Sequence, residues 1–312
     1  MAKYCFIINP GSNHKRSANK ITAIKEELIR QEIDFIYWET KNLPDAYHLS
    51  KKANLHGFEI IVAVGGDGTI NQVINGFYDD NGNRLSASKL GVIHTGTSPD
   101  FCLSYNIPID YMKALETIIR GNSKQTSVAR ICSHNKNQET EVRYFASCAS
   151  LGLGAAVART ANSGVRKILG DRLGTFYSIL KSLVSYKASE LKLICDDESK
   201  KVHKNFNTFI GKTSYIASGL RVQHQLSEED NRLYIISLKN INLWNVIPAL
   251  RAIYSGKELS NTNYLSFNYA KRIQVLADKI NPQIEYDGDP QGFLPCEISI
   301  APDRLELIVN EL

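Results

Sequence analysis

The sequence lacks most features that mark metal-bound, disulfide-linked or membrane-spanning chains. Its six cysteines are scattered over 312 residues, with no CxxC pair and no Cys/His cluster, which argues against a zinc site or a disulfide framework. No apolar run reaches the roughly eighteen residues that a membrane-spanning helix needs, and the first residues show no signal-peptide pattern. We therefore expect a protein of the reducing cytoplasm.

The charge imbalance is also small. The formal net charge is +5, with 43% hydrophobic and 22% charged residues, which is ordinary globular composition. The length allows one large or two medium domains with real cores. The positive charge permits an acidic partner such as a nucleotide or an anionic membrane surface but does not require one. We expect no nucleic acid partner, and the sequence leaves a homodimer open.

Strand-like and helix-like segments alternate through the first 120 residues. "KYCFII" and "DFIYWE" are β-rich runs, and the segment between them places Ile21, Ile24 and Leu28 at helical spacing. Further helices are predicted over residues 45–56 and 67–77 and in "PIDYMKALETIIRG", with strands over 59–64 and in "LGVIH". This alternation predicts βαβ units and a parallel sheet, in which ligands bind at the carboxyl ends of the strands.

The pattern of predicted secondary structure changes after Gly121. Short strand-like runs joined by polar turns follow one another to the end of the chain, interrupted by one helical stretch over residues 165–187. Such a series predicts an antiparallel sandwich or barrel. We place the boundary at residues 124/125, and the final residues, 301–312, could pair back onto the first domain.

One segment, "IIVAVGGDGTINQVINGF" over residues 60–77, takes a buried strand through a glycine-rich turn directly into a helix. Two interpretations are open. The glycines could supply the positive φ angles of a tight turn. Alternatively, bare N–H groups at a helix N-terminus could bind an anion such as a phosphate.

Several segments together carry a resemblance. "INPGSN", "GGDGTINQVINGF", "LGVIHTGTSPDFCLSYNIP", "SCASLGLGAAVA", "SEEDNRLYIISL" and "IEYDGDP" follow one another along nearly the whole chain. In order and spacing they resemble the motifs of the diacylglycerol kinase catalytic family, the lipid kinases that include sphingosine and ceramide kinases. The resemblance implies an α/β N-terminal domain with a Rossmann-like parallel sheet of the NAD-kinase/diacylglycerol-kinase type. A mainly antiparallel β-sandwich C-terminal domain would follow, with nucleotide binding in residues 1–124 and lipid binding in residues 125–300.

The same resemblance implies ATP and Mg²⁺ as cofactors. Asp67 and a phosphate are both anionic, so a magnesium ion between them, held directly or through water, would resolve their repulsion. The alternative is that Asp67 is only a turn or helix-capping residue. The residues expected to contact the nucleotide are Asn9, Pro10, Gly11, Ser12, Asn13, Thr40, Gly65, Gly66, Asp67, Gly68, Thr69, Asn71, Gly96 and Thr97.

Asp289 is the expected catalytic base by the same resemblance. It stands where the family has the glutamate of a DGE motif, which shortens the reach by one methylene. An Asp-Gly hairpin turn is the alternative interpretation of this segment. Asp100 is the second catalytic candidate, either beside Asp67 in the magnesium network or as an alternative base. Pro99 before it replaces the asparagine that is usual in the family.

A structural magnesium ion is implied at a second place. By resemblance Asp230 would hold it, with the backbone carbonyls of Ser227 and Arg232. Asn231 replaces the family's glycine there, so a solvated acidic turn is an equally open interpretation, as is replacement of the ion by Arg232.

A basic segment indicates where a lipid substrate would be met. Its basic residues are Arg159, Arg166, Lys167, Arg172, Lys181 and Lys187, interleaved with aliphatic and aromatic residues. This pattern is typical of an interfacial helix on anionic lipid, although the apolar face could equally pack on the sandwich. We predict a peripheral membrane lipid kinase, with diacylglycerol as substrate and phosphatidic acid as product. The alternatives are an enzyme like NAD kinase and a catalytically weak nucleotide- or lipid-binding relative.

Overall fold

The computed structural model describes residues 3–310, apart from several short segments and one longer one. The parts outside the description are residues 13–16, 43, 155–156, 158–176, 178–180, 183–185, 187, 218, 228, 242–244, 246–247, 249–255, 257–258, 278–282 and 287–288, and the side chains of residues 289–291. Asn13 and nearly all of the predicted helix over 165–187 lie outside the described residues. Within the described part of the chain, no helix is long and apolar enough to cross a membrane.

The chain divides into two compact units, which are described separately. The first comprises Met1–Val128 and Ala301–Leu312, and the second Ala129–Ile300. The division falls four residues after the expected boundary, because the strand Ser123–Thr126 pairs with Leu305–Ile308 in the first unit. The C-terminal segment thus returns to the first sheet.

The first unit is built on a six-stranded sheet. Numbered in chain order through both units, its strands are β1 (Tyr4–Ile8), β2 (Phe35–Glu39), β3 (Ile60–Gly65), β4 (Lys89–His94), β5 (Ser123–Thr126) and β18 (Leu305–Ile308), in the order β2-β1-β3-β4-β18-β5. All neighbouring pairs are parallel except β18 with β5. The predicted parallel α/β sheet is confirmed.

Five helices accompany this sheet among the described residues. They are α1 (Ser17–Arg30), α2 (Asp45–Leu55), α3 (Asp67–Asn75), α4 (Asp100–Ser104) and α5 (Tyr111–Arg120). Ile21, Ile24 and Leu28 of α1 are buried in one core with β1 and β3, as their spacing predicts. The short helix α4 has no separate periodic signal, because five residues are too few to show one.

The ends of α5 show how local sequence fixes a helix. Asp110 precedes it and accepts hydrogen bonds from the backbone N–H groups of Met112 and Lys113, at 3.1 and 3.0 Å. Gly121 follows it with φ +74°, a left-handed conformation that glycine adopts without a Cβ penalty. Helix α5 therefore begins and ends at chemically defined residues.

The second unit is an antiparallel β structure, as predicted. Its strands are β6 (Ala129–His134), β7 (Thr140–Phe145), β8 (Cys148–Gly152), β9 (Ser189–Cys195), β10 (Glu198–Gly211), β11 (Tyr215–Ile216), β12 (Leu220–Arg221), β13 (Leu233–Lys239), β14 (Leu265–Ala270), β15 (Arg272–Ala277), β16 (Gln283–Tyr286) and β17 (Asp289–Ile300). The long strand β10 pairs with β9 through its first half and with β8 and β13 through its second. The path β10-β8-β16-β17-β15-β9 therefore closes on itself around a buried aliphatic core.

The returning C-terminal segment of the first unit is held by the loop before β4. Asp303 accepts the backbone N–H of Arg84 at 2.7 Å, and the Arg84 guanidinium donates to the Arg304 carbonyl at 3.1 Å. Gly82 in the same loop has φ +92°, and a Cβ built on it would lie 2.6 Å from Cδ of Pro302. The loop and the C-terminal segment therefore need glycine at this contact.

Replacing Gly82 with alanine is expected to destabilise the protein more than the same change at Gly57. Gly57 also has positive φ, at +73°, but nothing lies within 4 Å of its missing Cβ. G57A should cost about 1–2 kcal/mol for the left-handed backbone alone. G82A adds an overpacking cost of about 1–3 kcal/mol. Denaturant unfolding of both variants measures the difference, and equal losses would show that the Pro302 contact does not constrain the fold.

Candidate functional site

Three loops of the first unit meet at one edge of its sheet. They follow β1, β3 and β4 and begin at Asn9, Gly66 and Thr95. The strands are parallel neighbours, so their carboxyl ends lie side by side. Backbone bonds join the loops to adjacent strands: Asn9 N donates to the Val64 carbonyl at 2.9 Å, and Thr95 N to the Gly65 carbonyl at 2.8 Å. The sheet itself brings the sequence-predicted loops together.

Side chains also connect the three loops. Asn9 Nδ2 donates to Thr69 Oγ1 at 2.9 Å, and the hydroxyls of Ser12 and Thr95 lie 2.5 Å apart. Asn9 Oδ1 accepts the backbone N–H of Gly11 at 3.0 Å. The predicted ligand residues Asn9, Ser12 and Thr69 therefore hold the loops to one another in this structure.

Glycine is needed at these positions because the backbones approach closely, and not because the residues adopt positive φ. Gly66 has φ −89°, and Gly65, Gly68 and Gly96 are not among the residues with positive φ. A Cβ built on Gly96 would lie 2.6 Å from Gly66 Cα, and one on Gly65 would lie 2.5 Å from the Thr69 side chain. The positive-φ interpretation of this turn is wrong: glycine is needed because two loops and a helix almost touch.

Helix α3 begins at this contact with bare backbone. Gly66 is its N-cap and makes no side-chain capping hydrogen bond. Ile70 N already donates to the Gly66 carbonyl at 3.0 Å. The N–H groups of the first helical turn have no intrahelical acceptor. With the helix dipole they form the kind of site that binds anions.

Asp67 lies in the first turn of α3, beside a histidine that the sequence analysis did not single out. His94 ends β4 and is buried, with Nε2 at 3.6 Å from Asp67 Oδ1. Burial lowers the pKa of His94 to about 4, helped by the nearby charge of Lys20 and opposed by a hydrogen bond with the Ser98 backbone. The ring is therefore uncharged at neutral pH. Its sequence signal was a polar residue at the end of an apolar strand.

The charge of Asp67 also affects a buried thiol. Burial, and secondarily the charge of Asp67, raise the pKa of the Cys102 thiol. Cys102 belongs to α4, which follows the β4 loop and begins at the buried Asp100. The first turns of α3 and α4 therefore approach one another near the Asp67 carboxylate.

The other predicted nucleotide residues differ in location and burial. Thr40 follows β2 and donates its backbone N–H to the Ile8 carbonyl at 2.9 Å, so it lies at the same sheet edge. Asn71 is buried within α3, and its side-chain oxygen accepts a bond from Asn75. Pro10, Gly11 and Thr97 are exposed, while Gly68 lies half-buried in the first turn of α3.

The donor set suits a magnesium ion that is shared with a substrate. Among the described residues, no three His, Cys, Asp or Glu side chains cluster as a protein-only metal cage. Mg²⁺ in phosphoryl-transfer sites commonly takes one or two carboxylates, with water and substrate phosphates completing its shell. Asp67, the first residue of α3, fits that requirement. Asp100, the first residue of α4, is a second candidate carboxylate.

Two of the predicted sites belong to the second unit: the catalytic base Asp289, and the metal site of Asp230, Ser227 and Arg232. Asp289 is the first residue of β17 and is the backbone partner of Tyr286, the last residue of β16. The two strands are antiparallel, and the Asp289 side chain lies outside the described part. Asp230 is described fully: Arg232 Nε and Nη2 donate to its carboxylate, the shortest bond being 2.6 Å.

Comparison with known proteins matches both units. A family model of the diacylglycerol kinase catalytic domain matches residues 3–131, and one of the YegS C-terminal NAD kinase beta sandwich-like domain matches residues 147–309. The diacylglycerol kinase of Bacillus subtilis (strain 168) is 26% identical over 300 residues, 95% of this chain and 93% of that protein. The diacylglycerol kinase of Staphylococcus aureus (strain bovine RF122 / ET3-1) is 26% identical over 98% of this chain and 93% of its own length.

Solved structures show the same fold. The structure of a diacylglycerol kinase from Bacillus anthracis str. Sterne superimposes with a TM-score of 0.70 at 20% identity, covering 99% of this chain and 97% of that one. Yeast NADH kinase complexed with NADH gives a TM-score of 0.56 at 11% identity, covering 99% and 84%.

The glycine turn, the loops that surround it and the matches over both units agree with one another. The expected family resemblance is confirmed, and a kinase of this kind uses a nucleotide. The chain belongs to the diacylglycerol kinase family and is a lipid kinase.

Proposed function

We propose that this lipid kinase uses ATP and Mg²⁺ to phosphorylate the hydroxyl of a membrane lipid, diacylglycerol first, giving phosphatidic acid. The observation that carries the proposal is the contact of Gly66 with Gly96 at the uncapped start of α3, beside Asp67. Side chains are absent where the two backbones meet, so a phosphate can approach the amides closely. The names of the relatives support the choice of lipid.

The first unit would bind the phosphates mainly through its backbone. The amides at the start of α3 supply donors, and the helix dipole favours the negative charge. Asn9, Ser12 and Thr95 contribute by fixing the neighbouring loops. Because phosphoryl transfer depends on positioning and charge neutralisation more than on covalent chemistry, a rigid backbone cradle is a suitable catalyst.

Asp67, with Asp100, would hold the metal. A bound Mg²⁺ neutralises charge on the transferring phosphoryl group. The uncharged ring of His94 beside Asp67 matters here, because a protonated histidine would form an ion pair and compete for the carboxylate. Because burial keeps that ring uncharged, it does not compete as a cation for the Asp67 carboxylate.

Asp289 would act on the lipid hydroxyl. Its carboxylate takes the hydroxyl proton while the oxygen attacks the γ-phosphorus of ATP, and the bond between that phosphorus and the bridging oxygen of ADP breaks. The assignment is carried over from the family motif to the aspartate at this position. Asp289 pairs with Tyr286 at the start of β17, and that position is compatible with a catalytic base.

The lipid would be reached at the membrane surface. The basic residues between 159 and 187 are suited to anionic headgroups, each contributing roughly 1 kcal/mol near such a surface. This supports a cytoplasmic enzyme that binds the membrane peripherally.

An enzyme that phosphorylates a dinucleotide is the second candidate. The fold is shared with yeast NADH kinase. A glycine-rich turn that binds phosphates suits a kinase with either acceptor. The lipid kinase is favoured because the catalytic-domain family and the curated relatives are diacylglycerol kinases.

Product analysis separates these candidates. The purified protein would be incubated with radiolabelled ATP and Mg²⁺, with diacylglycerol in anionic vesicles, sphingosine, ceramide or NAD as acceptor. Labelled phosphatidic acid on thin-layer chromatography is the expected result. Labelled NADP would support the second candidate, and no labelled product with any acceptor would indicate a binding protein without this activity.

The change Asp67→Asn should abolish transfer without unfolding the protein. It keeps the size of the side chain and removes the charge that a metal requires. We expect kcat to fall by about 10²-fold or more, the scale for removing electrostatic stabilisation of a transition state. His94→Gln keeps an uncharged side chain beside Asp67, so transfer and the Mg²⁺ concentration needed for half-maximal rate should stay close to those of wild type.

Thermal unfolding of both variants controls for structural damage. Wild-type turnover in D67N would exclude a role for Asp67 in holding a metal. A clearly raised Mg²⁺ requirement in H94Q would show that His94 acts on Asp67 through more than its lack of charge.

Asp289 is tested by two substitutions with different geometry. As a general base it should be worth about 10²–10⁴ in rate, so Asp289→Asn should lose that much in kcat while KM for ATP barely changes. Asp289→Glu restores the family's side-chain length. It should raise kcat if the site keeps the family's dimensions and lower it if the site has adapted to aspartate.

Rates within about a factor of two of wild type in both variants lie far below the general-base range. Such a result would leave Asp289 as a turn residue, and the next candidate for the base would be Asp100.

A further inference from the structure

The loop that leads into β13 has an arrangement that the family resemblance does not predict. At this place the resemblance implies a structural magnesium ion held by Asp230 and the carbonyls of Ser227 and Arg232. In the structure both carboxylate oxygens of Asp230 accept hydrogen bonds from Arg232. Nε donates to Oδ1 and Oδ2 at 3.0 and 3.1 Å, Nη2 to Oδ2 at 2.6 Å, and the backbone N–H to Oδ1 at 2.8 Å.

The backbone of the loop is engaged as well. Lys212, just after β10, donates its ammonium to the Asp230 carbonyl. The Ser227 carbonyl accepts the Asp230 N–H at 3.2 Å. A hydrated Mg²⁺ would have to displace charged donors from the carboxylate and lie beside two fixed positive charges. The residues present do not fit the metal.

The guanidinium is held from its other side by an aromatic ring. Arg232 Cζ lies 5.3 Å from the centroid of Tyr269 in β14, and the Tyr269 hydroxyl accepts the Gln225 N–H at 3.0 Å. Tyr269 therefore contacts both Arg232 and the backbone of Gln225, at the start of the loop. Such a planar, fork-shaped cation suits a carboxylate better than a lysine would.

We propose that Arg232, with Lys212, takes the place of the structural metal ion in this chain and organises the described residues of this loop, 225–227 and 229–233, without one. The Asp230 side chain is 16% exposed and the Arg232 side chain 45%, so the carboxylate is the shielded partner of the pair. Arg232 holds the pKa of Asp230 at about 2, so the carboxylate stays charged at any pH where the protein is assayed. The inference concerns the second unit alone and does not depend on the proposed function.

Thermal unfolding with and without Mg²⁺ tests the proposal. The full chain carrying Asp67→Asn would be compared in excess MgCl₂ and in excess EDTA, without nucleotide, so that the proposed metal site of the first unit lacks its Asp67 carboxylate. We expect the same Tm in both. A site occupied at about 100 times its Kd would instead raise Tm by roughly 5–10 °C. A rise of that size that Asp230→Asn abolishes would overturn the proposal. A rise that persists in that variant places the ion elsewhere and upholds it.

A matched pair of variants tests the guanidinium itself. Arg272 and Glu297 form a similar forked pair in the same unit, at 3.1 and 2.9 Å, but more exposed, at 59% and 35%. Exposed pairs contribute little to stability, so Arg272→Gln should change Tm little. Arg232→Gln should lower Tm by about 2–4 °C or more, because the loop loses its cation. Equal, small changes in both variants would show that Arg232 is an ordinary surface residue.

Discussion

The close contact between the backbones of Gly66 and Gly96 is the constraint on which the candidate site depends. It follows from the parallel pairing of β3 with β4, in which Gly65 is the partner of His94. Strands in such a sheet are about 4.8 Å apart, so the loops that leave their carboxyl ends can approach closely only where side chains are absent. The start of α3, the position of Thr69 against Gly65 and the bond from Asn9 to Thr69 all depend on that approach.

Two aspartates illustrate how surroundings assign different tasks to the same side chain. Asp67 lies beside a buried imidazole that is uncharged at neutral pH, so its negative charge is not neutralised by that neighbour. Asp230 is enclosed by the Arg232 guanidinium, with the Lys212 ammonium on its carbonyl. The first environment suits a metal shared with a substrate, and the second satisfies the carboxylate within the chain. A requirement for Mg²⁺ in catalysis is therefore compatible with a second unit that folds without it.

The sequence predicted the features that are encoded locally. The helical spacing of α1, the alternation of strands and helices, and the order of the motifs led to the α/β sheet and the family. The boundary was misplaced because "SKQT" in β5 is polar, and its partner β18 lies about 180 residues away. Long-range pairing of this kind leaves no local periodicity.

The chemistry of the site was only partly predictable, for a related reason. The glycine turn indicated an anion site, but backbone contact rather than positive φ explains its glycines. The motif located Asp230 without showing that Arg232 would bind both of its oxygens. His94 passed unnoticed because burial, which sets its charge, is a property of the fold.

The most direct test of the central claim is ATP binding by the variant Gly96→Ala, measured by calorimetry with Mg²⁺ present. Its Cβ would lie 2.6 Å from Gly66 Cα, so the two loops must separate. Gly121→Ala is the control, since Gly121 belongs to the same unit and nothing lies within 4 Å of its missing Cβ. We expect G96A to weaken ATP binding by at least about tenfold, or 1.4 kcal/mol, while G121A binds as wild type does. Wild-type affinity in a folded G96A protein would contradict the claim that this glycine contact forms the phosphate site.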